Sequence, residues 1–405
     1  MNRRKFLATM GVASLAAATG KPTLRADDST PKSEPGSKAS LADGTPAVYA
    51  PTNSGATIVW TVNAPARGWI EYGETRELGQ VFNSDEFGFV PHGERVIRVR
   101  LRGLKPGTQY WWRTVTVLLG GGEQEVSPVY SFRTLDPAAA ETRFAVWNDT
   151  HNHAETIVKL HNLTQAEPAD FLIWNGDASN NIDNSGVIPG LYVHPSGVDL
   201  SKGPPILFSC GNHDCRGLWA GEVYHYVDFP TGRPYYALRS GPLAIIVLDT
   251  GEDKPDNHPT FRGVPASEPL IQAQKQWLKR VIQRREIKNA PYRLAFCHIP
   301  LRWQVEEKVD YDKGGFDWFS RRGREAWNES LTTWGVQAVI SAHMHQWAVL
   351  PGTTEFPYDQ IVGGGPTAES ATVIRGFAAN QEMKITLQGL DGKTRQTVSY
   401  KPRNA

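Results

Sequence analysis

Five times in this chain a short apolar run ends in aspartate, asparagine or histidine. The units run from Phe144 to His151, Phe171 to Asp177, Ile206 to Asp214, Leu294 to His298 and Ala338 to His345. Each run is too short for an ordinary helix and reads as a buried strand. Open α/β folds gather parallel strand ends along one rim, where side chains far apart in sequence meet. The repeated unit therefore constrains the chain to a strand core whose rim carries a polar cluster.

The donor types narrow that cluster's chemistry. In a strand, side chains at i and i+2 share a face. Asp149 and His151 are thus expected to reach one cation from a single strand end, and His343 and His345 both to face the site. Asp177 follows Gly176, where the backbone is free to turn sharply. Asn212 adds an amide oxygen and His298 an imidazole. Oxygen and nitrogen donors without thiolate suit Mn, Fe or Zn, and the set holds more histidine than Mg or Ca sites prefer.

At 405 residues the chain is long enough for two domains. Its 43 basic and 42 acidic residues nearly cancel, which argues against nucleic acid as a partner. Three cysteines provide no disulfide framework; Cys210 and Cys297 read as buried thiols. A Cys210–Cys215 bridge stays open at this level. The start of the chain, with Arg3 and Arg4 before an alanine-rich run from Ala8 to Thr19, resembles a twin-arginine export signal. That run is shorter than the ~20 residues of a membrane span. Residues 1–26 are read as the signal and 27–43 as a linker, so the mature protein is expected without a membrane span, in the periplasm or secreted.

From 44 to 135 short alternating segments, such as Thr57 to Thr61 and Gln109 to Val115, are separated by turn residues. They imply an all-β sandwich. The stretch Leu101 to Tyr110, with its Pro106-Gly107 turn, resembles a fibronectin type III corner, where Tyr110 can bond back across the turn. From 141 to 401 apolar strands alternate with amphipathic segments at Thr156 to Gln165 and Glu268 to Ile287. Strand-like pieces after His345 are expected to extend a second sheet. Two long loops, 181–204 and 301–325, follow motif strands and are expected to wall the site.

The five units in this order resemble the calcineurin-like metallophosphoesterases, and the sandwich before them resembles the purple acid phosphatase branch. The resemblance implies a two-domain chain, a fibronectin type III-like sandwich followed by two mixed sheets packed face to face and flanked by helices. It also implies two metal ions and a small phosphate ester as substrate. Residue by residue, it assigns Asp149, His151 and His345 to the first ion, Asn212, His298 and His343 to the second, and Asp177 to both. The resemblance further implies that a hydroxide bridging the ions attacks phosphorus. By the same resemblance His213 is expected to serve as acid to the leaving oxygen, with Asp214 orienting its ring. Coloured members place a metal-binding tyrosine three residues after the bridging aspartate. Here that position is Asn180, so a colourless protein is expected. Asn148 and Ala342 stand where the family usually has glycine.

His153, Asn180, Arg216 and Arg302 are candidates for substrate contact, with a solvated loop histidine and surface ion pairs as the alternatives for His153 and the arginines. A phosphomonoesterase is the favoured reading and a phosphodiesterase the alternative. From a different class, a non-catalytic metal-containing binding or adhesion protein also fits the layout, although a structural metal site has no need of His213.

Overall fold

The computed structural model describes residues 40–85, 87–303 and 316–403, with side chains of the last segment from Ser320 onward. The expected signal and nearly all of the linker lie outside the described residues. Among those described, no helix is long and apolar enough to cross a membrane.

The first part is built from period-two strands. Ala42–Tyr49, Gly55–Val62 and Val96–Arg102 form one antiparallel layer. Ala66–Gly73 and Gln109–Leu118 anchor the other, flanked by the short strands Gln80–Phe82, Gln124–Val126 and Tyr130–Arg133. Ile58, Trp60, Ile70, Val99, Trp112 and Phe132 fill the space between them. Each such large side chain contributes roughly 1.5–3 kcal/mol of burial. The Pro106-Gly107 turn closes as the sequence suggests: Lys105 N donates to the Tyr110 hydroxyl at 3.0 Å.

One layer of this sandwich does not stop at its own edge. Tyr49 pairs in parallel with Ile206, and Ala50 N donates to Ile206 O at 2.8 Å. The result is a nine-stranded sheet in which Ala42–Tyr49 adjoins Ile206–Ser209, Phe171–Asn175 and Glu141–Trp147 in turn. The pairing covers what would otherwise be a bare parallel edge. Alternation along the shared strands lets them serve two cores. Val48, Ile58 and Trp60 face the sandwich, whereas Ala47, Tyr49 and Val59 join the central core.

The last three strands, Thr372–Ala379, Met383–Gly389 and Thr394–Tyr400, extend this same sheet from Glu141–Trp147. That corrects the expectation that the tail adds to a second sheet. Of the tail, only Ala348–Leu350 and Asp359–Val362 do so. The second sheet runs Tyr236–Ser240, Leu243–Leu248, Tyr292–Cys297, Ala338–Ser341, Asp359–Val362, Ala348–Leu350. Its inward residues Ile245, Val247, Leu294, Phe296 and Ile340 pack on Phe144, Ile173 and Phe208 of the first. Its outward residues Ala244, Ile246, Leu248 and Val339 meet Ile271, Leu278, Trp327 and Leu331, the apolar stripes of two helices, Ser267–Val281 and Phe316–Trp334.

Three elements differ from their expected form. The Glu268 to Ile287 segment breaks after Val281 and resumes as Arg285–Lys288. Residues 316–325, read as loop, open the helix Phe316–Trp334, while 304–315 lie outside the described residues. The 181–204 loop is less a pocket wall than a packed buttress. It winds through four short helical turns and buries Ile188, Leu191, Tyr192 and Val193. Tyr49 fastens it by donating to Tyr192 O at 2.6 Å.

Candidate metal centre

Motif strands one to three lie in the first sheet and four and five in the second, so the five ends meet across the gap between two sheets rather than on one rim. Nor does strand alternation aim the donors. Glu141–Trp147 ends before Asp149, and Ala338–Ser341 ends before His343. Instead Asp149, His151, Asp177, His343 and His345 take left-handed backbone, with φ of 45°, 43°, 50°, 70° and 53°. Such conformations cost a non-glycine residue about 1–3 kcal/mol and persist only where surroundings impose them.

Here hydrogen bonds impose them. His343 N donates to both Asp149 oxygens at 2.9 Å, His213 N donates to Asp177 Oδ1 at 2.9 Å, and His151 N donates to Asp177 O at 2.8 Å. Glycine makes room at two close approaches. A Cβ on Gly211 would stand 2.2 Å from Asp177 N, and one on Gly363 would stand 2.1 Å from Asn148 Nδ2. Gly363 thus creates the space that the larger Asn148 fills. Ala342, the other departure from the family's glycines, is fully buried and is absent from the left-handed set.

Donor atoms converge in two groups. Asp149, His151, Asp177 and His345 form one, and Asp177, His298 and His343 the other, with atoms in each within 4.8 Å of one another. His151 Nε2 lies 3.0 Å from His345 Nε2 and 3.3 Å from Asp177 Oδ2. His298 Nε2 lies 3.1 Å from the same Asp177 oxygen. Asn212 joins the second group, its Oδ1 2.9 Å from His343 Nδ1.

This donor set fits two cations. His298 bonds Asn175 O through Nδ1 at 2.9 Å, which leaves its buried Nε2 aimed at the carboxylates. Burial pushes Asp149 up, with the His298 ring opposing. Burial pushes His298 down, yet Asp177 and Asp149 outweigh it and raise that ring to about 10. Burial holds His343 at about 3 and His345 at about 4, so both are neutral imidazoles, the form that ligates metal.

The remaining sequence candidates divide. His213 is half-buried beside the first group, its ring centroid 4.9 Å from that of His151. Burial lowers its pKa. Asp214 does not orient this ring. One of its oxygens accepts from Asp177 N and Gly211 N at 2.8 and 2.9 Å; the other accepts from Ala178 N, Ser179 N and the Tyr192 hydroxyl. It stitches the loop of the second motif to that of the third, and the Asn180 carbonyl takes the His213 Nδ1 bond at 2.6 Å. Asn180 Oδ1 lies 2.9 Å from His151 Nδ1.

Arg302 turns away from the cluster. Its Nη2 donates to the carbonyls of Leu350, Pro351 and Tyr358 and holds a loop. Arg216 lies against His213, Nη1 being 3.3 Å from Nε2, but its Nη2 is committed to Glu252 and Asp253 at 2.8 and 2.9 Å. His153 is an exposed residue at the start of the helix Ala154–Ala166. Cys210 and Cys215 are both free thiols.

The Asp249 to Asp253 segment was missed. It follows the fully buried strand Leu243–Leu248 and delivers Glu252 and Asp253 to Arg216. Burial raises Glu252 to about 7, with Arg216 opposing. The signal was present: this too is an apolar run that ends in an acid.

Known proteins with related chains are consistent with this geometry. Mouse (Mus musculus) serine/threonine-protein phosphatase CPPED1 is 28% identical over 142 residues, covering 35% of this chain and 42% of that protein. Mouse acid phosphatase type 7 is 24% identical over 262 residues, covering 60% of this chain and 56% of its own. The chain spans about half the length of the curated relatives it matches. The purple acid phosphatase PPD1 of yellow lupin (Lupinus luteus) superposes with a TM-score of 0.66 at 14% identity, over 88% of this chain and 74% of that one. The likeness is one of fold, a strand-rich first part followed by mixed sheets with helices. The sequence model of calcineurin-like phosphoesterases matches residues 142–347. That span contains all five strand-end units, and the chain belongs to the calcineurin-like phosphoesterase family.

Proposed function

We propose that this protein is a phosphoric-ester hydrolase that uses two metal ions, with phosphomonoesters as its preferred substrates. One observation carries the reading: Asp177 is shared by two separate groups of metal-competent donors. In it, Asp149, His151 and His345 hold one ion, Asn212, His298 and His343 the other, and Asp177 both. Two such cations, when bound, would supply positive charge to phosphoryl oxygens and would lower the pKa of a coordinated water enough to provide hydroxide near neutral pH.

The chain's own residues do the rest. Asn175 O fixes the His298 tautomer, so Nε2 faces the carboxylates. The Asn180 carbonyl accepts from His213 Nδ1, which leaves Nε2 as the atom that takes up a proton from solvent and, as part of the imidazolium, passes it to the leaving oxygen. No side chain acts as nucleophile, so no covalent phosphoenzyme forms. Manganese, iron and zinc all suit the donors. With Asn180 in the tyrosine position, the loaded protein has no visible tyrosinate band. The arginine pair near the start makes an exported, periplasmic or secreted enzyme part of this reading.

The monoester reading draws on the phosphatase names of the curated relatives. The test is turnover of p-nitrophenyl phosphate against bis-p-nitrophenyl phosphate after stripping and reloading with Mn²⁺ or Zn²⁺. Faster turnover of the monoester is expected. Faster turnover of the diester replaces this reading with a phosphodiesterase, and metal loading without turnover of either favours a binding protein.

A further inference from the structure

Asn180 stands three residues after Asp177 and touches two different histidines. Its side chain clasps His151 at two points: Oδ1 accepts from Nδ1 at 2.9 Å, and Nδ2 donates to the His151 carbonyl at 3.2 Å. Its main-chain oxygen accepts from His213 Nδ1 at 2.6 Å. An imidazole that gives its Nδ1 proton to an oxygen offers Nε2 for other work. In His151 that nitrogen points into the first donor group, 3.0 Å from His345 Nε2 and 3.3 Å from Asp177 Oδ2.

The second point of the clasp acts on the backbone. His151 has φ 43°, and the bond from Asn180 Nδ2 to its carbonyl ties that left-handed peptide in place. The rings of His151 and His213 meet edge to face with centroids 4.9 Å apart, so one residue sets the direction of two neighbouring imidazoles.

We propose that Asn180 is a positioning residue, its side chain aiming His151 at a metal ion and its main chain aiming His213 at the leaving oxygen. The inference rests on the dinuclear reading above and replaces the sequence expectation of a substrate contact. It makes a split prediction, because a substitution removes the side-chain clasp and leaves the carbonyl. Asn180→Ala should weaken one of the two ions by about 10- to 100-fold, the usual effect of losing the partner of a ligating imidazole. The other ion should bind as before. At saturating metal, kcat should recover to within a few-fold of wild type while KM stays unchanged. Asn180→Asp keeps the oxygen acceptor and should restore most of the lost affinity.

The experiment is calorimetric titration of stripped wild type, Asn180→Ala and Asn180→Asp with Zn²⁺ alone, followed by kcat as a function of Zn²⁺. Weakening of one ion, with rescue by aspartate, supports the proposal. Equal affinities in wild type and Asn180→Ala overturn it, as do equal weakening of both ions or absence of rescue. If circular dichroism shows Asn180→Ala unfolded, Asn180→Gln takes its place, since it keeps the amide but moves it by one methylene. The same ~10-fold loss is then required. A wild type that binds fewer than two ions removes the dinuclear reading itself, a result separate from any difference between variants.

Discussion

At the corner of the first part, Gly107 takes the left-handed conformation with φ 59°, and Tyr110 closes the turn. At the rim of the second part, Asp149, His151, Asp177, His343 and His345 adopt it themselves. Among the described non-glycine residues between 42 and 133, only Ala50 and Leu78 do so. The first part thus assigns awkward backbone mostly to glycine and its polar needs to bonds among its own strands, such as Trp60 Nε1 to Thr116 Oγ1 at 3.0 Å. The second part imposes that backbone on the side chains that carry the chemistry. Its buried carboxylates and imidazoles crowd into two donor groups that share Asp177, the arrangement on which the proposed metal ions rest.

That contrast can be broken from either side. The largest effect is expected at Asp177, which belongs to both donor groups. Asp177→Asn should lose both ions by elemental analysis and reduce turnover by more than ~10⁴-fold. Retention of both ions with full turnover would falsify the shared-ligand assignment. His213→Ala should keep both ions yet lower kcat by ~10²–10⁴-fold; loss of an ion would show that the ring belongs to the metal cluster instead. In the first part, Trp112→Ala should cost about 3–5 kcal/mol in urea unfolding while kcat per folded molecule stays constant, and a matching fall in kcat would erase the distinction. The smallest change is Tyr110→Phe, which removes one hydrogen bond. A loss of roughly 0.5–1.5 kcal/mol is expected, and a neutral result would make the corner bond incidental.

Much of the site was legible because ligand identity is a property of side chains. The apolar runs before Asp149, Asp177, Asn212, His298 and His343 marked the strands, and donor types marked the chemistry. Direction was not legible. The i and i+2 argument placed Asp149 with His151 for the wrong reason, since local bonds to Asp177 and Asp149, not a strand's pleat, aim these side chains. Asp214 was assigned by the family resemblance to orienting His213, whereas five donors from elsewhere occupy its oxygens. Arg302 was misread similarly: a basic residue after a motif strand can point either way, and carbonyls near Tyr358 captured it.

In the fold, the sandwich strands and the alternating second part followed from periodicity. The junction between Tyr49 and Ile206 did not, because strand pairing between distant segments leaves no local pattern. The late helix Phe316–Trp334 was lost because its aromatic-rich start reads equally well as loop, whereas the break after Val281 was lost because Ile282 and Ile287 carry the apolar spacing across it.

The Tyr49–Ile206 pairing also sets a timetable. The two strands lie more than a third of the chain apart, and such non-local pairings form late. Until they meet, Ile206–Ser209 has an open flank able to recruit the wrong neighbour. A nascent chain released before its first strands dock is therefore vulnerable at that flank, and cutting the gene between the two parts would make the vulnerability permanent. Slow synthesis at low temperature should raise the soluble yield of the whole chain far more than that of a fragment beginning near Glu141.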